Sequence, residues 1–279
     1  MSKLFLANMN RLFKSKSFII TASAMFVFGI ISIIMVKQDN INLLHQDRAD
    51  KAFGGYIMPV CILLAFVCST FYGEEYDGTI RNKLNVGNTR FQVYTSQYIS
   101  CFVAGVAMCF SFLIPTVLLG EMMLWGFYTK ASYLFSYFIS SIALTAACAS
   151  IYCLMITIAA KKSAGMALTI FIMLIVMWIG RQLQISLFEI PDKTFHPVME
   201  NGELTSAYID NPLYPTGVKR TILKYAYDIL PSTQSWQITY FPQNSVPIYH
   251  SLKLAAFSVI VAAAAFLVGI KVFEQKDLK

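Results

Sequence analysis

Six apolar runs, 18–36, 56–72, 94–119, 134–160, 164–180 and 254–273, divide this chain, and none carries a charge near its middle. At about 1.5 Å of rise per helical residue, each run can cross a hydrocarbon layer of roughly 30 Å. The shorter runs do so with tilt or with side chains reaching out from their ends. The rest of the composition agrees: 57% of the residues are hydrophobic and 13% charged, against about 25% charged in soluble domains. The fold class these runs imply is an all-α polytopic membrane protein with six transmembrane helices. Pro115 lies inside the third run, where the loss of one backbone donor predicts a kink.

Lys and Arg at the run ends set the expected orientation. With the N-terminus inside, the cytoplasmic segments hold Lys3, Arg11, Lys14, Lys16, Arg81, Lys83, Arg90, Lys161, Lys162, Lys271, Lys276 and Lys279. The two short outer loops hold only Lys37, Arg48, Lys51 and Lys130. Both termini are therefore expected in the cytoplasm, and the net charge of +7 reads as membrane orientation rather than nucleic-acid binding. The first run spans about 19 residues against roughly 7–15 for the apolar region of a signal peptide, and it lacks a small-x-small cleavage site. It reads as a retained anchor. Ahead of it, Phe5, Met9, Leu12 and Phe13 recur at helical spacing, with Lys3, Arg11 and Lys14 elsewhere on the wheel. That pattern fits a short helix in the inner interface, and a disordered basic leader is the alternative. The organisation expected is an interfacial helix over 1–17, five spans over 18–180, an outer cap over 181–253, and the last span with a cytoplasmic tail over 254–279.

Between the second and third runs lies "FYGEEYDGTIRNKLNVGNTRFQVY", residues 71–94, an unusual concentration of charge for this chain. Tyr76, Ile80 and Leu84 are spaced to form one apolar stripe on a helix, and Asp77 and Arg81 to pair four residues apart. Gly87 can end that helix, and Thr89 with Gln92 fits a capping box that starts the next one. An apolar stripe on a cytoplasmic link either seats in a groove of another protein or lies on the lipid headgroups.

Motifs for catalysis are absent from the sequence: no phosphate-binding loop, no H-E-x-x-H and no G-x-S-x-G. His45, His196 and His250 fall in outer loops, far apart. All six cysteines lie inside the runs without metal spacing and read as packing residues. Ion-coupled carriers keep a charge at depth, and no run here has one. Thr95, Ser96, Gln97 and Ser100 of the third run, with Ser136, Ser140, Ser141 and Thr145 of the fourth, are candidates to line a pathway, though hydroxyls that join helices by hydrogen bonds are the favoured reading. The outer segment holds seven of the nine prolines. Within it Val218, Ile222, Tyr225, Ala226 and Ile229 predict an amphipathic helix over 216–230, roofing the outer mouth.

The stretch "EEYDGTIRNKLNVGNTR" resembles the first cytoplasmic loop of ABC exporter permeases of the type 2 class, the type V exporter fold. The basic helix before the first run, the six runs, the long segment between runs five and six, and the ending "GIKVFEQKDLK" are similar to that family as well. The resemblance implies that Glu74, Glu75, Tyr76, Asp77, Gly78, Thr79, Ile80 and Arg81 belong to a coupling helix that docks on a separate ATPase. It also makes the segment from Lys3 to Lys16 an elbow helix beside that ATPase. The family's turn carries Ser-Arg, where this chain has Asn88, Thr89 and Arg90. Lys161 and Lys162 are a possible second contact, or simple positive-inside anchors. The function the resemblance implies is that of a permease in a bacterial cell membrane, paired with an identical or related permease and with two ATPase subunits. Those subunits would hold ATP and Mg, with no cofactor in this chain. The 13 Met, 22 Phe and 15 Tyr suit an amphipathic peptide of bacteriocin or antimicrobial type, or a hydrophobic drug. The competing classes are a peptide-binding immunity or sensor protein and an ion-coupled carrier.

Overall fold

The computed structural model describes residues 2–43, 47–76, 78–200, 203–244 and 247–276. Six of its helical segments are long and apolar enough to cross a membrane: Lys16–Asn42, Asp50–Tyr76, Arg90–Met123, Ala131–Ala159, Lys162–Glu189 and Ile248–Gln275. The architecture is that of a multi-pass membrane protein. Each segment is longer than its apolar run, because the helices continue into flanking residues at both ends, except that the fourth stops at Ala159, the last residue but one of its run.

A helix α1 (Ser2–Lys14) precedes α2 (Lys16–Leu43), and the two are separated by Ser15, whose hydroxyl accepts from the Phe18 amide at 3.3 Å. The second crossing is assembled from α3 (Asp50–Phe53), a 3-10 turn (Gly54–Tyr56) and α4 (Ile57–Tyr76). A short helix α5 (Ile80–Asn85) links it to α6 (Arg90–Met123), then follow α7 (Ala131–Ala159) and α8 (Lys162–Gln184). α8 runs on through a π-helical turn (Ile185–Glu189). Beyond it come an antiparallel hairpin of β1 (Lys193–Glu200) and β2 (Glu203–Asp210), with Lys193 opposite Asp210, then α9 (Gly217–Ile229) and α10 (Pro231–Asn244). α11 (Ile248–Gln275) is the last crossing.

Several local signals act as expected from the sequence. Gly87 takes φ +95° just after α5, a conformation open to glycine at no steric cost. The Thr89 hydroxyl accepts from the Gln92 amide at 3.2 Å while Gln92 Oε1 accepts from the Thr89 amide at 3.1 Å, closing the capping box of α6. α6 runs through Pro115 as one helix.

Packing in the bundle follows small residues and shared hydroxyls, the means available to helices that gain little from burying apolar surface in lipid. α7 meets α11 through Ser136, Ser140, Ala143 and Ala147 on one side and Ser251, Ala255, Ser258 and Ala262 on the other, all buried. Three hydrogen bonds tie the second crossing to α7 at different depths. They join Tyr56 to Ser141 at 2.6 Å, Tyr152 to the Cys61 carbonyl at 2.9 Å and Tyr72 to Thr157 at 3.0 Å. α2 approaches α6 at Gly29, where a Cβ would lie 2.6 Å from the Phe112 carbonyl oxygen. The six cysteines are free thiols, all buried but Cys61, which is half-buried.

α1 and the C-terminal end of α11 lie at one end of the bundle. There Arg90 donates to the carbonyls of Phe273, Glu274 and Lys276, and Lys276 Nζ donates to those of Thr157 and Ile158 at 2.6 Å, so two cations satisfy the free carbonyls at the C-termini of α7 and α11. Burial pushes the Lys276 ammonium below the ordinary lysine value. The opposite end carries α9 and α10, with Trp125, Tyr128 and Tyr249 exposed, as befits aromatic side chains at a membrane boundary.

The segment after α8 differs most from expectation. α9 forms where the periodicity places it, but Val218, Ile222, Tyr225 and Ile229 are exposed. Of the expected stripe Ala226 packs inward, and with Leu223 and Tyr227 it meets Leu183 and Leu187. The helix therefore stands on the end of α8, with the rest of that stripe turned outward. The hairpin and α10 have no counterpart in the sequence reading; apart from that hairpin the described elements are helical, consistent with an all-α polytopic protein. His196 lies on β1, His250 in the first turn of α11 rather than in a loop, and His45 outside the described residues.

Gly29→Val is expected to destabilise the bundle by about 1–3 kcal/mol through overpacking against a backbone atom. Gly55→Ala, whose added carbon meets only Phe112 at 4.0 Å, should be tolerated. Thermal midpoints of the two variants in detergent measure the difference.

A buried carboxylate beneath the charged link as the candidate functional site

α4 ends in Glu74, Glu75 and Tyr76, and helical phase separates the two acids. Glu74 points outward and pairs with Lys162 at 2.7 Å across an exposed surface. Glu75 follows Phe71 and Tyr72 by four and three residues, which carries it onto their buried face, and it is fully enclosed. Its Oε1 receives Arg11 and, at 2.6 Å, Lys83; its Oε2 receives the Gln97 amide. Lys83 also donates to Asn8 Oδ1 at 2.8 Å, and Asn8 Nδ2 to Ser96 Oγ at 2.7 Å. Arg11 reaches the Phe71 carbonyl at 2.5 Å, its guanidinium 4.2 Å from the centre of the Phe71 ring.

One carboxylate thus ties together α1, α4, α5 and the start of α6. Burial pushes the Lys83 ammonium below the ordinary lysine value, and the neighbouring carboxylate opposes the shift. Arg11 is one-third exposed, so the cluster opens to the surface along α1. Within this helix, read from the sequence as interfacial, Arg11 turns inward, while Met9 and Leu12 pack on the core. Lys3, Lys14 and Lys16 stay exposed.

The link itself is a turn followed by α5. The amides of Gly78 and Thr79 both donate to the Glu75 carbonyl, at 3.3 and 3.0 Å. The apolar stripe faces the protein's own core: Ile80 is buried, Leu84 packs beside it, and the Tyr76 ring lies 5.3 Å from Tyr72 and 6.3 Å from Phe273. Gly78, Thr79 and Arg81 are exposed, as is Val86, the large apolar side chain the link leaves bare. Asp77, and with it the expected pair with Arg81, lies outside the described residues. Lys161 is exposed beside Lys162. A Cβ at Gly73 would lie 3.0 Å from Lys162 Cα, so the end of α4 meets the start of α8 closely.

The candidate pathway residues fall into two groups. Ser96 and Gln97 belong to the Glu75 cluster, and Ser100 donates to the Ser96 carbonyl at 2.8 Å one turn on. Further along, Ser140 donates to the Ser251 carbonyl at 2.6 Å, Ser136 to the Tyr133 carbonyl at 2.8 Å, and Thr145 to the Ser141 carbonyl at 2.7 Å. All of these side chains are buried. Thr95 Oγ1 and Gln97 Oε1 are buried without a hydrogen-bond partner among the described residues. Ser96, Ser140 and Ser141 bond across helices, whereas Ser100 and Ser136 bond back along their own helix.

Sequence reasoning missed Arg11 and Lys83 as partners of Glu75, and Asn8 as the acceptor behind Lys83. The available signal was phase, since an acid three and four residues past two aromatic core positions must enter the interior or break the helix. Among the described residues, no His, Cys, Asp and Glu cluster could hold a metal ion. No protein-family model matches this chain, and no curated protein matches it significantly.

Removing one member of a buried ion pair costs about 3–5 kcal/mol because the other charge is left unpaired, whereas replacing all members by apolar groups is often neutral. Glu75→Leu is therefore expected to lower stability by about 3 kcal/mol, the lower end because Arg11 is partly hydrated. The triple variant Glu75→Leu, Arg11→Met, Lys83→Met should recover most of that loss in detergent melting.

Proposed function

We propose that this chain is the permease subunit of an ATP-driven ABC exporter, moving an amphipathic peptide of antimicrobial type or a hydrophobic drug outward across a bacterial plasma membrane. It works beside a second permease, identical or related, and two ATPase subunits that hold ATP and Mg. The observation that carries this reading is the Glu75 cluster. A force applied to the exposed side of the link is delivered through Lys83 and Glu75 to α1, α4 and α6 together, so the link cannot move alone.

Three further features support it. Exposed Lys3, Lys14, Lys16, Arg81 and Lys161 crowd the end that holds α1 and the C-terminal end of α11, which fits a cytoplasmic placement of that end. The chain has no phosphate-binding loop of its own. The ionised side chains of the six crossings lie toward the helix ends, and Glu75 is already occupied by two cations, which disfavours the ion-coupled carrier. ATP binding draws the ATPase subunits together and, through the links, reshapes the path between permeases toward the outside; hydrolysis resets it.

The docking surface consists of outward-facing residues. Substitutions at Tyr76 or Ile80 would test folding rather than docking, since those side chains pack inward. Chain purified from its native membranes in mild detergent is expected to retain a nucleotide-hydrolysing ABC subunit. Arg81→Glu combined with Val86→Asp should reduce that subunit at least tenfold without altering the chain's own elution profile. A cysteine placed at position 81 should react with an impermeant maleimide only after cells are opened. Reaction in intact cells, or undiminished retention in the double variant, would end this reading.

A further inference from the structure

α8 is held closely at both ends and stands away from its neighbours between them. At one end a Cβ at Gly165 would lie 3.5 Å from Ile156 Cα; at the other, a Cβ at Gly180 would lie 2.5 Å from Ser232 Oγ. Between these two approaches a cavity of about 270 Å³ opens behind α8. Met58 and Ile62 of α4, Ile151 and Tyr152 of α7, and Met173 and Met177 of α8 form much of its wall. Its roof is the corner from Ile229 to Ser235 where α9 turns into α10, and it extends down to Val261, the midpoint of α11.

The hydroxyls on this wall already have partners within the chain. Ser232 donates to the Val176 carbonyl at 2.8 Å, Ser235 to the Ser232 carbonyl at 2.6 Å, and Tyr152 to the Cys61 carbonyl at 2.9 Å. Nothing in the slot calls for a polar ligand, and an apolar cavity does not hold water. A void in a close-packed interior forfeits contact energy, and here hydrocarbon stands on the other side of one helix: Phe171, Leu174, Ile175 and Trp178 on the opposite face of α8 are exposed. Met173 and Met177 can adapt their unbranched side chains to a flexible occupant.

We propose that this slot is a binding site for one acyl chain of a membrane phospholipid, which lies behind α8 from the α9–α10 corner to about mid-depth of the bundle. Its apolar wall and its position among the membrane-crossing helices select a hydrocarbon chain over a polar ligand. The lipid source follows from continuity with the lipid-facing surface of α8. The proposal rests on the six-crossing architecture and is independent of the exporter reading.

The test places the full chain in phospholipid nanodiscs in which a small fraction of the lipid carries a diazirine midway along one acyl chain. After photolysis, adducts are mapped by peptide mass spectrometry. Adducts on Met173 and Met177 are expected to exceed those on lipid-facing Leu174 and Ile175 at least fivefold. Met173→Trp, which fills the slot, should reduce the remaining slot adducts at least fivefold; Leu174→Trp, on the lipid face of the same helix, should leave them unchanged. Should Met173→Trp fail to fold, Val176→Phe fills the same space with a smaller change. Equal labelling of both faces of α8, or slot labelling insensitive to filling, overturns the proposal. Loss of the slot adducts on adding an equal amount of an unlabelled single-chain alkylammonium probe assigns the slot to free amphipaths, and overturns the phospholipid assignment.

Discussion

Holding an ionised side chain at the centre of a bilayer costs about 2.5–3.5 kcal/mol on insertion scales, and the six crossings are organised by that constraint. Their charges gather at the helix ends, where each meets solvent, a carbonyl or an opposite charge. Arg90 and Lys276 turn this to structural use by donating to the free carbonyls of α7 and α11. Glu75 is the case in which a charge goes inward, and it does so only with Arg11, Lys83 and Gln97 around it.

That cluster gives the α1 end of the bundle its mechanical character. α1 is an amphipathic helix whose buried side chains pack on α2 and α6 and whose Arg11 reaches the carboxylate. α5 is too short to be stable alone, and it is held by Ile80 and Leu84 on one side and Lys83 on the other. Apolar contact fixes its position, and the ion pairs fix its register against α1. At the other end of the bundle a different arrangement holds. Asp228 pairs with Lys253 at 2.7 Å, and the Gln234 side chain donates to the Asp228 carbonyl at 2.6 Å while accepting from Ser258. These polar contacts seat the α9–α10 corner on α11, and between that seat and the glycine contacts of α8 the bundle leaves its apolar slot.

Residues with a single strong local reason were legible. Gly87 supplied a positive φ, Thr89 and Gln92 a reciprocal cap, and the uncharged runs a helical path through hydrocarbon. Residues whose role depends on the direction in which a helix faces were harder to read. Tyr76, Ile80 and Leu84 form the stripe their spacing requires, but spacing is blind to whether a stripe meets a partner or the protein's own core. α9 shows the reverse, since Val218, Ile222 and Tyr225 recur at helical spacing yet lie outward, while Ala226 of the same stripe bears the contact together with Leu223 and Tyr227. The hairpin after α8 carried no strict alternation, and α10 is rich in polar residues that find partners only in the assembled cap.

Sequence alone determined the number of crossings, their approximate limits, the cap of α6 and the end of α5. Each follows from short-range chemistry: hydropathy over one helix length, or a hydrogen bond between residues three apart. Tertiary structure decided that Glu75 is enclosed while Glu74 is exposed, that Arg11 and Lys83 are its partners, and that α8 leaves a slot behind it. These outcomes depend on the rotation of each helix about its axis and on contacts spanning 88 or more residues of sequence, and local pattern constrains neither.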